Sequence, residues 1–335
     1  MQQIPHPAER VKPQAARYRA PVWLPGAHLQ TIWSAVAAPR PRPALTRQRW
    51  STPDGDFIDL DHGPAPQCTK APLWVLFHGL EGSSRSHYAR AVVAHAAHLN
   101  WASVVVHFRG CSGEPNNAPR AYHSGDSAEI DWILRRLSSE HPERPLLASG
   151  VSLGSNALLK WLGERGESAG FVRAAAAICP PQDLQAGALS LSHGFNRLYC
   201  EHFLRSLRPK TLAMLERWPG LVDGERVRRS RTFFDFDDAV TAPLHGFSSC
   251  FDYWTRSSCR QFLGGIRVPT LIINARNDPF VPAQALATRD QVSSWVELDY
   301  PEAGGHVGFP GAQGAGRFNW IPARLETFFR DAGEV

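Results

Sequence analysis

The residues with the clearest chemical potential lie in Ala148-Ser149-Gly150-Val151-Ser152-Leu153-Gly154-Ser155-Asn156. Gly150, Ser152 and Gly154 have the glycine-x-serine-x-glycine spacing, after an apolar run and before an amphipathic one. That context predicts a serine on a tight strand-to-helix turn. Flanking glycines leave room for a strained backbone and close packing, the hydroxyl projects above a sheet, and the helix N-terminus favours developing negative charge. A string this short recurs by chance, and a serine turn without chemistry is the plain alternative. The strand-turn-helix setting favours a nucleophile.

A serine hydroxyl is too weakly acidic to attack an ester unaided, so a histidine must lie in hydrogen-bond reach, itself oriented by a carboxylate. With a serine elbow on a parallel sheet the acid and then the histidine follow in the chain, each on a loop at a strand's carboxyl end. Two loops qualify. The apolar run at residues 269–274 leads into Asn277-Asp278-Pro279, and residues 295–300 lead into Ala303-Gly304-Gly305-His306. Asp278 is the expected acid and His306 the expected base. Taken singly, Asp278 could be a turn former and His306 one surface histidine among fourteen. Glu297 and Asp299 are rivals that precede the histidine on a strand, while Asp235, Asp237, Asp238 and Asp252 are weaker rivals in an insert. The oxyanion needs preorganised N–H donors. Leu153, directly after the serine, supplies one, and Leu80 in His78-Gly79-Leu80-Glu81-Gly82 is expected to supply the other.

The elements that must hold these residues follow from periodicity. Residues 47–63 alternate polar and apolar on both sides of Asp54-Gly55, which suits a tight hairpin turn. Short continuous apolar runs at residues 73–77, 102–108, 146–151 and 174–178 predict buried parallel strands. Amphipathic segments at 86–99, 124–141 and 153–165 are long enough for crossover helices. The strand rhythm returns at 269–275 and 295–300, and residues 318–331 read as a closing helix with Trp320, Leu325, Phe328 and Phe329 inward. The expected class is α/β, a mostly parallel sheet flanked by helices. Its core covers residues 46–181 and 265–335, with a helical cap insert at 182–264 and a proline-rich wrapping segment at 1–45, anchored by Trp23 and Trp33.

Composition narrows the function classes. At 43% hydrophobic and 20% charged residues the chain reads as an ordinary globular protein. The formal charge is +5, and the basic cluster Glu225 to Arg231 could touch phosphates or an anionic membrane surface, but it lacks aromatic interleaving or a nucleic-acid motif, so a solvated helix face is expected. Six dispersed cysteines without a C-x-x-C pair suit reduced thiols and a cytoplasmic location. A Cys–His nucleophile is conceivable, but none of the six sits in a motif. Residues 20–39 carry no charge and end in an alanine-rich string, yet prolines and polar residues interrupt them. Neither a clean signal peptide nor the roughly twenty apolar residues of a spanning helix is present. Neither His95 with His98 nor His193 with His202 has zinc-site spacing, and no phosphate loop or dinucleotide fingerprint occurs. No metal or cofactor is expected.

The chain resembles the bacterial YheT-like α/β-hydrolases, which are similar to the eukaryotic ABHD one-to-three group and to yeast medium-chain ethyl ester synthase/esterase. The likeness runs through Trp23 to Thr31, His78 to Ser84, Arg109 to Asn116, Tyr122 to Asp126, the serine elbow, Phe236 to Pro243 and the loops bearing Asp278 and His306. It implies Ser152, Asp278 and His306 as the charge-relay residues. It also implies that His28 to Thr31 belong to the folded body. The expected activity is a serine carboxylesterase acting on small-molecule esters with short to medium acyl chains, the acyl group resting on Ser152. Phe195, Tyr199, Phe203, Trp218, Phe233, Phe234 and Trp254 are the aromatic residues expected to form its pocket. Transfer of the acyl group to an alcohol, and an idle fold that merely binds a ligand, are the alternatives.

Overall fold

A computed structural model describes residues 17–312, 315–333 and 335. An eight-stranded sheet runs in the order β1-β2-β4-β3-β5-β6-β7-β8. The strands are β1 (Thr46–Ser51), β2 (Phe57–His62), β3 (Leu73–Phe77), β4 (Ala102–Val106), β5 (Leu146–Val151), β6 (Val172–Ile178), β7 (Thr270–Ile273) and β8 (Val296–Asp299). The first two form the expected antiparallel hairpin, with Gly55 at φ 77 in the turn. From β4 onward every neighbour is parallel, so the loops after β3, β5, β7 and β8 emerge at one edge.

Alternation along the strands divides the core between two faces. Trp74, Leu76, Val105, Leu147 and Ile273 pack beneath α2 (His87–His98) and α11 (Trp320–Gly333). Leu73, Val75, Phe77, Val104 and Ala148 pack against α3 (Ser127–Glu140) and α4 (Leu153–Arg165). Four consecutive alanines, Ala174 to Ala177, leave β6 thin enough for helices to close on both faces. Arg324 ties α11 to β8 through Asp299 at 2.9 Å and Glu297 at 2.6 Å, which commits both rival acids to an ion pair.

Ahead of the sheet, α1 (Ala27–Ile32) continues into a π-helical turn, Trp33–Ala37. Residues 1–16 of the expected wrapping segment lie outside the described residues. Between β6 and β7 the chain forms α5 (Leu184–Leu191), α6 (Arg197–Arg217), α7 (Gly224–Arg229), α8 (Phe233–Phe236), α9 (Ala242–Leu244) and α10 (Cys250–Ser257). Polar side chains start these helices: Asp183 accepts from the Ala186 amide, Asp223 from Glu225 and Arg226, and Ser249 from Asp252. Leu204, Val227, Phe236 and Trp254 form their own core, which takes in Phe280 and Val281 from the loop after β7. In the arginine-rich cluster Arg226 pairs with Asp238 at 2.8 Å, and Arg228 and Arg229 pair with Glu225.

Arg109, 5% exposed, joins three elements: it reaches Asp56 at 2.8 Å, Glu129 on α3 at 2.7 Å and Asp54 in the hairpin turn at 3.0 Å. Asp56 and Glu129 are buried with it. Replacing Arg109 with Leu strands buried carboxylates, an effect expected to cost about 3–5 kcal/mol. Urea unfolding checks this as a fall in midpoint at unchanged slope.

Candidate active site

Ser152 stands between β5 and α4 at φ 51, ψ −116, a conformation that L-residues seldom adopt. Close packing makes the turn possible. A Cβ on Gly150 would lie 2.6 Å from the Gly154 carbonyl carbon, and a Cβ on Gly154 would lie 2.5 Å from the His78 oxygen. The serine amide donates to the Ile178 oxygen at 2.8 Å, which ties the elbow to β6.

The structure brings all three sequence-predicted side chains together. His306 Nε2 is 3.0 Å from Ser152 Oγ, and His306 Nδ1 is 2.9 Å from one Asp278 oxygen and 3.1 Å from the other. Asp278 is buried and accepts amides from Phe280 at 2.8 Å and Val281 at 3.1 Å, so the loop after β7 holds its carboxyl group facing the ring. Phe280 stacks on the imidazole with centroids 4.1 Å apart, closing one side of the ring.

Leu80 and Leu153 line the same cavity as Ser152 and His306. Around Leu80 the neighbouring amides are occupied: Gly79 donates to Tyr88 Oη at 2.9 Å and Glu81 to Tyr122 Oη at 2.8 Å. The Leu80 amide has no acceptor among the described residues. Leu153 opens α4, where first-turn amides have no intrahelical partner. His78 holds the loop from beneath, donating from Nδ1 to the Gly79 oxygen at 2.7 Å and accepting the Phe108 amide on Nε2 at 3.1 Å. Burial lowers the pKa of His78 to about 3, so it stays neutral in this role.

Sequence reasoning missed the N-terminal clamp on the histidine loop. Thr31 Oγ1 accepts the His306 amide at 2.9 Å, and Gln30 Oε1 accepts the Gly304 amide at 2.9 Å and Asn277 Nδ2 at 3.1 Å. Asn277 in turn accepts the Gly305 amide at 3.0 Å. A Cβ on Gly305 would meet Thr31 Oγ1 at 2.6 Å, so glycine is what lets α1 press against the loop. The string His28 to Thr31 carried a signal only through the family likeness, because a glutamine and a threonine have no chemical signature of their own.

The cavity, about 680 Å³, extends from Ser152 under the helices between β6 and β7. Phe203, Phe233 and Trp254 line it, and Trp218 stands at its side, as expected. Phe195, Tyr199 and Phe234 do not line it. Phe195 and Phe234 are 49% and 44% exposed, and Tyr199 packs against Phe280 instead. Composition alone cannot tell which side of a short helix turns inward. Lys210 on α6 reaches Glu81 at 2.8 Å, joining the helical layer to the Leu80 loop.

Cys179, Asp278 and His306 offer ligand atoms within 4.8 Å of one another. Asp278 and His306 are already committed to each other, and burial holds the Cys179 thiol well above its usual pKa, so it stays protonated at neutral pH. That state also removes Cys179 as a nucleophile. His95 is instead paired with Glu326 at 2.8 Å.

Among the insert carboxylates Asp237 stands apart, because it lines the cavity and accepts from Thr241 Oγ1 at 2.6 Å and Trp254 Nε1 at 2.8 Å. Burial raises its pKa from 3.8 to about 6. The folded state therefore holds this proton more tightly than the unfolded state, and the contribution to stability present at low pH is lost as pH rises through about 6. The difference in thermal midpoint between the wild type and Asp237→Asn is therefore predicted to fall as pH rises through about 6, a comparison that cancels the opposite contribution of buried neutral histidines such as His78.

Residues 72–309 match the family model of the α/β hydrolase fold. Over 304 residues the chain is 38% identical to YheT of Escherichia coli (strain K12), whose name proposes an esterase; the match covers 89% of this chain and 88% of that one. It is 27% identical to phospholipase ABHD3 of Mus musculus, covering 87% and 73%. It is also 27% identical to the monoacylglycerol lipase of Saccharomyces cerevisiae (strain ATCC 204508 / S288c), covering 78% and 59%. Of solved structures, the Pyrococcus furiosus esterase PF2001 superposes with a TM-score of 0.54 at 15% identity, covering 88% of this chain and 97% of that one. The elbow, the sheet order and these likenesses agree, and the chain belongs to the α/β-hydrolase family, among its YheT-like hydrolases of esterase and lipase type.

Proposed function

We propose that the protein is a serine carboxylesterase that cleaves short- to medium-chain acyl esters through an acyl-enzyme on Ser152. The observation that carries this reading is the continuous line of hydrogen bonds from Asp278 through His306 to a serine whose backbone is held at φ 51. Ser152 Oγ attacks the ester carbonyl while His306 Nε2 takes its proton. The carbonyl oxygen gains the negative charge, and the Leu80 and Leu153 amides donate to it. The tetrahedral intermediate collapses as His306 returns the proton to the leaving alcohol. Water then attacks the acyl-serine by the same route, releasing the acid and restoring the serine. Asp278 stays ionised and keeps Nδ1 protonated, so that Nε2 is free to act as base. The lining of Phe203, Phe233 and Trp254 supports an apolar acyl chain.

Two measurements test the reading. Hydrolysis of a p-nitrophenyl ester series from acetate to laurate is expected for the wild type, with Ser152→Ala lowering kcat/KM by about 10³-fold or more. Equal rates in the two proteins would reject the serine mechanism. Thr31→Ala removes the acceptor of the His306 amide and touches neither substrate nor Ser152. It should lower kcat about tenfold while KM stays within about twofold, the pattern of a misplaced base.

A further inference from the structure

The uncharged stretch at residues 20–39 forms a surface. Val22 is 96% exposed, Val36 72%, Leu29 50% and Trp23 47%. Leu29 and Val36 stand about two turns apart along α1 and the π-helical turn, so they share a side. Trp23 packs edge-on against Trp33, with centroids 5.0 Å apart. The surface continues onto the start of α6 and the turn before it: the ring centroids of His28 on α1 and Phe195 are 4.5 Å apart, and both Phe195 and Leu198 are exposed. Six large apolar side chains on adjoining segments exceed the scattered hydrophobes of an ordinary surface.

Its rim is basic. Arg17, Arg19 and Arg42 are exposed, and the sequence has no Asp or Glu between Glu9 and Asp54. Arg42 follows Val36 by a length of chain that spans at most about 20 Å. It opens a shallow cleft of about 400 Å³, also lined by Arg47, Arg85 and Arg90. Arg47 is paired with Asp61. The guanidinium groups of Arg42, Arg85 and Arg90 have no acceptor among the described residues.

We propose that this face docks on an anionic lipid bilayer, its apolar side chains entering the headgroup region and the arginines meeting lipid phosphates. The charge pattern selects this occupant. A second copy packed face to face would bring two arginine rims together with no carboxylate on this segment to answer them. A bilayer supplies both the apolar boundary and the anions. No helix among the described residues is long and apolar enough to cross a membrane, so the contact is peripheral. The inference is independent of ester cleavage.

Co-sedimentation of the full chain with vesicles tests it. Vesicles of phosphatidylcholine and phosphatidylglycerol in equal parts should carry the protein down at low ionic strength, and pure phosphatidylcholine vesicles should not. The double variant Val22→Asp/Val36→Asp changes only exposed side chains and should abolish binding. Arg42→Ser/Arg85→Ser/Arg90→Ser should weaken it about a hundredfold, at about fivefold per arginine. Unchanged circular dichroism shows that both variants fold. Absence of the wild type from the mixed-vesicle pellet would overturn the proposal, as would binding that neither variant alters. A dimer in sedimentation velocity that the aspartate pair dissolves, without vesicle binding, would assign the face to a second copy and overturn it equally.

Discussion

Holding Ser152 at φ 51 costs on the order of 1–3 kcal/mol, and a conformation like that persists only where its surroundings over-determine it. Much of the fold around the serine serves that end. β6 takes its amide, α4 begins directly after it, and the glycines at 150 and 154 let strand and helix approach to distances no Cβ would permit. Because β3, β5, β6, β7 and β8 are parallel, the Leu80 loop, the serine, Asp278 and His306 all issue from one edge. The site is a product of strand polarity before it is a product of side chains.

Orientation of the histidine is the second requirement, and two regions far apart in the sequence share it. Asp278 and Phe280 fix the ring, one by hydrogen bonds and the other by stacking. Gln30 and Thr31 fix the backbone that carries it. The ring and its backbone are thus restrained independently, which limits the imidazole to small excursions from the serine hydroxyl.

The parts of this arrangement that were legible in the sequence have a periodic or compositional signature. Helix α4 begins and ends where the amphipathic pattern does, at Leu153 and Arg165, and β3 coincides with its apolar run. The other parallel strands fall within a residue or two of theirs. Ser152, Asp278 and His306 could be singled out because strand polarity orders their loops along the chain, and the three side chains meet within hydrogen-bond reach. Other features left no such trace. Whether Phe234 or Phe233 turns toward the cavity depends on the packing of a single helical turn, and Phe234 faces out. The carboxyl group of Asp237 looked like one acid among several in the insert, and only its burial against Trp254 and Thr241 sets it apart.

The clamp also bears on the order in which the site is assembled. The bonds from Gln30 to Gly304 and from Thr31 to His306 join residues 274 and 275 positions apart. Contacts of such separation carry a loop-closure cost that local helices and neighbouring strands do not, and they form late. During synthesis α1 emerges early and must wait for the histidine loop, and the sheet can assemble before His306 is seated. The serine turn is built by local geometry, whereas the seating of His306 beside it depends on contacts between the two ends of the chain, so in a nascent or partly unfolded molecule the turn can form without its histidine.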